Sequence, residues 1–212
     1  MGRERQRAKS EATRARGLEA ALELFSTQGF RGTTMRQIAE KAGVSMGNLY
    51  YHFPAKEDIF EALIEEYWQR ILDPDAPLNQ VFQGAGFPDD LEALAAAAEQ
   101  LVDENRAFVL LIYVDVIEFH GEHIKAFYDG MADRFEEVYG ESLRAKQAAG
   151  ELGADVDPLF AAMCATRWFL YYFTVEKCFG VPQHLGMESK DATRAFIQLL
   201  RSGLMPRPAA DH

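Results

Sequence analysis

The chain has 212 residues, a formal net charge of −11, 48% hydrophobic residues and two cysteines. That apolar fraction excludes global disorder, and no apolar run approaches the roughly 18 residues of a membrane span. The opening stretch MGRERQRAKSEATRARG carries charge with no apolar segment behind it, so no secretory signal is expected and the expected location is the cytoplasm. Cys164 and Cys178, if carried by one helix, lie about 21 Å apart at 1.5 Å per residue, too far for a disulfide. Ten basic and five acidic side chains fall in residues 1–56, net +5, which leaves 12 basic and 28 acidic, net −16, for the remainder. A basic head on an acidic body suits contact with a polyanion through the head alone, although a solvated basic tail gives the same count.

Nearly every segment has helical periodicity, and none has a convincing period of two. The first helix is expected from about Ser10 to Gln28, with Leu18, Ala21, Leu22 and Phe25 on one face and Gly29 as a left-handed cap. A second starts at Thr34, with Gln37 completing a capping box, and ends at Gly43. A short third starts at Ser45 and is stopped by Pro54. A fourth runs from Lys56 to Leu72 with Glu57 and Asp58 in its first turn. Residues 73–90, rich in Pro, Gly and Asp, predict a loop with at most one helical turn. Further helices are expected over 89–104, 105–119, 122–149 with a possible break near Gly130 or Gly140, 157–179 and 190–204.

Residues 33–56, TTMRQIAEKAGVSMGNLYYHFPAK, carry the main signal. A helix-turn-helix needs a first helix with a small apolar inner face, a tight turn, and a second helix whose outer face can enter a groove. Ile38, Ala39 and Ala42 supply the inner face, Gly43 the turn, and Val44 a buried plug. Leu49 and Phe53 point inward, which places Tyr51 nearly opposite, with Gly47 and Asn48 beside it.

GFRGTTMRQIAEKAGVSMGNLYYHFPAKEDIF, residues 29–60, together with EAALELF at 19–25, resembles the DNA-binding domain of the tetracycline-repressor (TetR) family. Gly17 departs from that pattern, since many members have a branched aliphatic residue there. The resemblance covers roughly residues 10–70. It implies an all-α fold with a three-helix helix-turn-helix domain over 1–55 and a larger helical ligand-binding and dimerisation domain over 56–212. It also implies a homodimer on a palindromic duplex operator, released by a small-molecule effector, with no cofactor, no metal and no membrane partner. Carried over residue by residue, Thr34 caps the second helix and reaches a phosphate, and Arg36 approaches a base edge. Ser45, Met46, Gly47 and Asn48 enter the major groove, Tyr50, Tyr51 and His52 meet phosphate or thymine methyl, and Lys56 holds a phosphate.

The last two helices are expected to build a four-helix dimer interface, with Phe160, Phe196, Leu199 and Leu200 as its candidates. Closure of a monomeric core is the other reading. Phe108, Tyr113, Phe119, Phe127, Trp168 and Tyr172, with Asp115 and His123, are candidates to line a pocket for a lipophilic effector. Asp115, Glu118 and Glu122 fit either a pocket wall or a solvated stripe. His120 and His123 alone make a weak metal pair. No phosphate loop, dinucleotide fingerprint, HExxH or nucleophile elbow occurs, so an enzyme is the distant rival. A constitutive regulator or an activator without an effector is the nearer one.

Overall fold

The structure, a computed structural model, describes residues 2–84, 86–153 and 155–204. The described residues form α1 (Gly2–Gln28), α2 (Met35–Ala42), α3 (Met46–His52), α4 (Lys56–Leu72), α5 (Pro77–Gly84) and α6 (Leu91–Glu104). They continue with α7 (Arg106–Glu118), α8 (Glu122–Tyr128), α9 (Met131–Ala148), α10 (Pro158–Phe173), a π-helical turn over Thr174–Cys178, and α11 (Ser189–Leu204). No strand occurs among them, and both cysteines are free thiols. Among the described residues, no helix is long and apolar enough to cross a membrane.

Three elements differ from expectation. α1 begins at Gly2, well before Ser10, because Arg, Gln, Ala and Lys continue a helix by propensity without an apolar face to mark it. The segment 73–90 holds the eight-residue helix α5, anchored by the buried Leu78. The expected helix over 157–179 passes at Thr174 from α to π winding. The segment 122–149 does break, near Gly130, into α8 and α9.

The chain divides into two compact units. One comprises the residues up to Ile71 together with Ala107–Phe127; the other comprises Leu72–Arg106 with the described residues from Tyr128 onward. In the first, Phe25, Ile38, Leu49, Ile59, Phe60 and Leu63 are fully buried. In the second, α6 lies against α10. Small buried residues on both helices, Ala95 and Ala98 on α6 and Ala161, Ala162 and Ala165 on α10, permit the close approach of the two backbones.

Candidate nucleic-acid interface

Local chemistry fixes both ends of the helix-turn-helix. Thr34 at the N-cap of α2 accepts from Gln37 N at 3.3 Å, while Thr34 N donates to Gln37 Oε1 at 2.8 Å, so the capping box is complete. Gly43 takes φ +63°, and its N–H and that of Val44 donate to Glu40 O and Ala39 O, closing the helix. Ser45 caps α3 by accepting from Asn48 N at 3.2 Å. Ile38, Ala39, Ala42, Leu49 and Phe53 are buried as expected. Val44 is only half-buried, because it sits in the turn at the edge of the core.

Gly17, the departure from the family pattern, has a local reason. A Cβ there would stand 3.1 Å from Leu49 Cδ1 and 3.6 Å from the Phe53 ring. The missing side chain lets α1 close on the inward face of α3.

The outer face of α3 is open. Tyr51 is 80% exposed and Tyr50 48%, Ser45, Gly47 and Asn48 are exposed, and Met46 is half-buried. A Cβ on Gly47 would meet nothing within 4 Å, so this backbone can be approached closely. His52 is half-buried, its ring edge-on to Tyr51 and its Nε2 3.4 Å from Ser10 Oγ. Arg36 is exposed and donates from Nε to Glu40 at 2.8 Å; that bond raises the guanidinium above its ordinary value. Thr34 is exposed, with its hydroxyl engaged in the cap.

Lys56 stands apart from this surface. Its Nζ donates to Phe30 O at 2.6 Å and Thr33 O at 2.7 Å, and lies 4.1 Å from the Phe30 ring centroid. In the structure it ties the α1–α2 loop to the start of α4.

The same loop is held from the far end of α7. Glu118 accepts from Phe30 N at 2.9 Å and Arg31 N at 2.7 Å, over a separation no local pattern could signal. Asp115, on the preceding turn, is fully buried, which overturns a solvated stripe at that position. His123 donates from Nδ1 to its carboxylate at 2.6 Å, and Ile124 N donates to its second oxygen at 3.1 Å. Glu122 and His120 are exposed. The described residues contain no group of three metal-ligating side chains.

The pocket candidates of this unit are engaged in ring packing. Phe119 stacks on Phe60 at 4.6 Å and meets Phe30 edge-on at 4.7 Å, Phe127 stacks on Trp68 at 4.1 Å, and Phe108 on Tyr67 at 5.5 Å. Tyr113 is half-buried. Of these candidates, Phe108 lines a cleft of about 450 Å³ between α1, α4 and α7, beside Leu18, Leu22, Leu63, Arg14 and Arg70.

In the second unit Trp168 stacks on Tyr172 at 4.9 Å and on Phe196 at 3.8 Å. Tyr172 is buried and donates to Glu176 Oε1 at 2.8 Å. Burial first, and the Glu176 carboxylate second, push its phenol up to about 12. Phe196 is therefore half-buried within its own chain, Leu200 is half-buried, and Phe160 and Leu199 are 63% and 67% exposed. Tyr171, 61% exposed, lies eleven residues from Phe160 and so on the same face of α10.

A capped, buried pair of short helices that presents an open aromatic and polar face defines a helix-turn-helix DNA-binding protein. Residues 18–63 match the model of the bacterial regulatory proteins of the tetR family. That match makes the chain similar to this family of regulators over its helix-turn-helix region. It is 26% identical over 159 residues to the transcriptional repressor KstR2 of Rhodococcus jostii, covering 72% of this chain and 77% of that one. It is 43% identical over 84 residues to the transcriptional regulator RutR of Escherichia coli, covering 40% and 35%. A solved tetR-family regulatory protein from Rhodococcus RHA1 shares the fold, with a TM-score of 0.62 at 23% identity over 92% of this chain and 98% of that one. The role these relatives hold is transcriptional regulation.

Proposed function

We propose that the protein is a homodimeric repressor that occupies a palindromic duplex operator and leaves it when a lipophilic small molecule binds its helical C-terminal domain. The observation that carries the DNA-reading part is the outer face of α3, where Tyr51 is 80% exposed and Gly47 has open space around it. In this reading Ser45, Met46, Gly47 and Asn48 enter the major groove. Arg36 reads a base edge, Thr34, Tyr50, Tyr51 and His52 meet the backbone or a thymine methyl, and Lys56 orients the loop that presents α2. Groove readout leans on shape and van der Waals contact, because Ser45, Met46, Gly47 and Asn48 carry no charge.

The exposed apolar side chains Phe160 and Tyr171, on one face of α10, and Leu199 on α11 support a two-fold pairing of those helices. That the relative KstR2 is a repressor supports the sign of regulation. Within the first unit Phe108, Tyr113, Phe119 and Phe127, with Asp115 and His123, are the proposed effector contacts, and Trp168 and Tyr172 are proposed separately within the second.

Selection from a randomised duplex library tests the reading. The expected product is an inverted repeat whose half-sites are spaced for two recognition helices about 34–36 Å apart. A library that stays random after selection overturns DNA readout, and enrichment of a single unrepeated site overturns the two-fold arrangement. For the effector, linkage requires that a compound weakening operator binding bind less tightly to the protein–operator complex than to free protein. Equal affinities exclude that compound as an inducer.

A further inference from the structure

α1 outruns the unit it belongs to. It first meets α3 at Ser10, 3.4 Å from His52, and its first buried residue is Thr13. Arg14 then lies over the Phe53 ring at 5.3 Å, and Gly17 faces Leu49. Residues 4–9 are exposed throughout, so core burial does not account for the two helical turns that precede Ser10.

Helical spacing sorts the cations of this segment into two sets. At 100° per residue Arg5, Lys9 and Arg16 fall within about 40° of one another, with Ala12 between them. All three are exposed, and none has an ion-pair partner among the described residues. Arg7 and Arg14 lie on another face and are engaged, Arg7 with Glu11 at 2.9 Å and Arg14 with Phe53. Glu19, three residues on from Arg16, borders the C-terminal end of the first stripe, and Glu23, in line with it, is bound to Lys41 of α2 at 2.6 Å.

Three unpaired cations in a row repel one another, and those in the first turns also oppose the helix dipole. In a chain whose residues beyond 56 carry −16, this stripe is no general excess of positive charge. A polyanion relieves the repulsion and gains from counterion release. From Arg5 to Arg16 the stripe is about 16 Å long at 1.5 Å per residue. That is about half a turn of duplex, taking 34–36 Å per turn.

We propose that Arg5, Lys9 and Arg16 form a second DNA-contact surface, sequence-independent, that grips phosphates flanking the base pairs read by α3. The inference rests on the DNA-binding reading above and adds residues that the helix-turn-helix does not contain. It differs in kind from groove readout, because it adds affinity and salt dependence without specificity.

The experiment is fluorescence anisotropy of a 30-bp duplex of random sequence, titrated with the full chain at several salt concentrations. It compares the parent, R5Q/K9Q/R16Q, and a charge-matched control in the second unit, R144Q/K190Q/R194Q. For each phosphate deprived of its cation, the slope of log K against log salt falls by about 0.9. The slope of the α1 triple variant should therefore be shallower by about 2 to 3 per subunit, with unchanged helical circular dichroism and melting temperature, while the control keeps the parental slope. A parental slope in the α1 variant, or an equal fall in the control, overturns the inference and leaves the DNA-binding reading standing. A parent that binds no duplex at low salt overturns both.

Discussion

At Gly29 two constraints coincide. Its φ is +80°, and a Cβ there would stand 2.7 Å from Glu118 Oε1, the oxygen that accepts from Phe30 N. Gly29→Ala is expected to cost about 1–3 kcal/mol from backbone strain, with the carboxylate displaced in addition. Glu118→Ala is expected to cost about 1.5–3 kcal/mol, the value of hydrogen bonds to a charged group. The double variant should be less destabilised than the two single effects together imply, because removing the carboxylate also removes the collision. Strictly additive effects in chemical denaturation would contradict this geometry. The glycine is legible in the sequence as a left-handed cap; its partner is not, since 89 residues separate the two. The same holds at Gly17, which by propensity alone weakens α1 and in the fold admits Leu49.

Among the elements, those bounded by caps are the most legible. α4 matches expectation at both ends, and α2 and α3 at their N-caps, because Thr34 with Gln37, Gly43, Ser45 and Pro54 are local signals with local causes. Apolar runs without punctuation are less legible, and the change of winding at Thr174 has no pattern in VDPLFAAMCATRWFLYYFTVEKCF that marks it. The end of α10 yields a pH prediction. Tyr172 has a folded value raised above 10, to about 12, so the stability it contributes is full below pH 10 and falls as pH rises toward 12. Tyr172→Phe should flatten that alkaline decline and remove one late-titrating phenol from the absorbance titration. An unchanged alkaline profile would contradict the burial and the Glu176 bond.

The exposed faces of α10 and α11 yield another. Phe196 is held by Trp168 within its own chain, so Phe160 and Leu199 are the positions whose replacement probes assembly without disturbing the core. Phe160→Asp with Leu199→Asp should convert a sedimenting dimer into a folded monomer by burying unpaired charge at the interface. A parent that sediments at 23.9 kDa at micromolar concentration would contradict the pairing.

Over the whole molecule the division of labour is electrostatic as well as structural. Residues 1–56 carry +5 and the rest −16, so duplex binding must be local to the head and steeply weakened by salt. The first unit, however, is not contiguous in sequence. Residues 107–127 pack in it, with Phe119 among Phe30 and Phe60 and Glu118 on the α1–α2 loop. Composition and periodicity carry the helical class and the helix-turn-helix. They cannot carry this return of the chain, because a half-buried apolar helix reads the same whichever core it joins.

The central claim, that the exposed face of α3 with Arg36 reads DNA, is tested most directly by the affinity of Arg36→Ala and Tyr51→Ala for the duplex that the parent selects. Both side chains are exposed, so melting temperatures should stay at the parental value. Each variant should bind more weakly by about 1–3 kcal/mol, the scale of a base contact. Two variants that fold and bind that duplex as the parent does would contradict the claim.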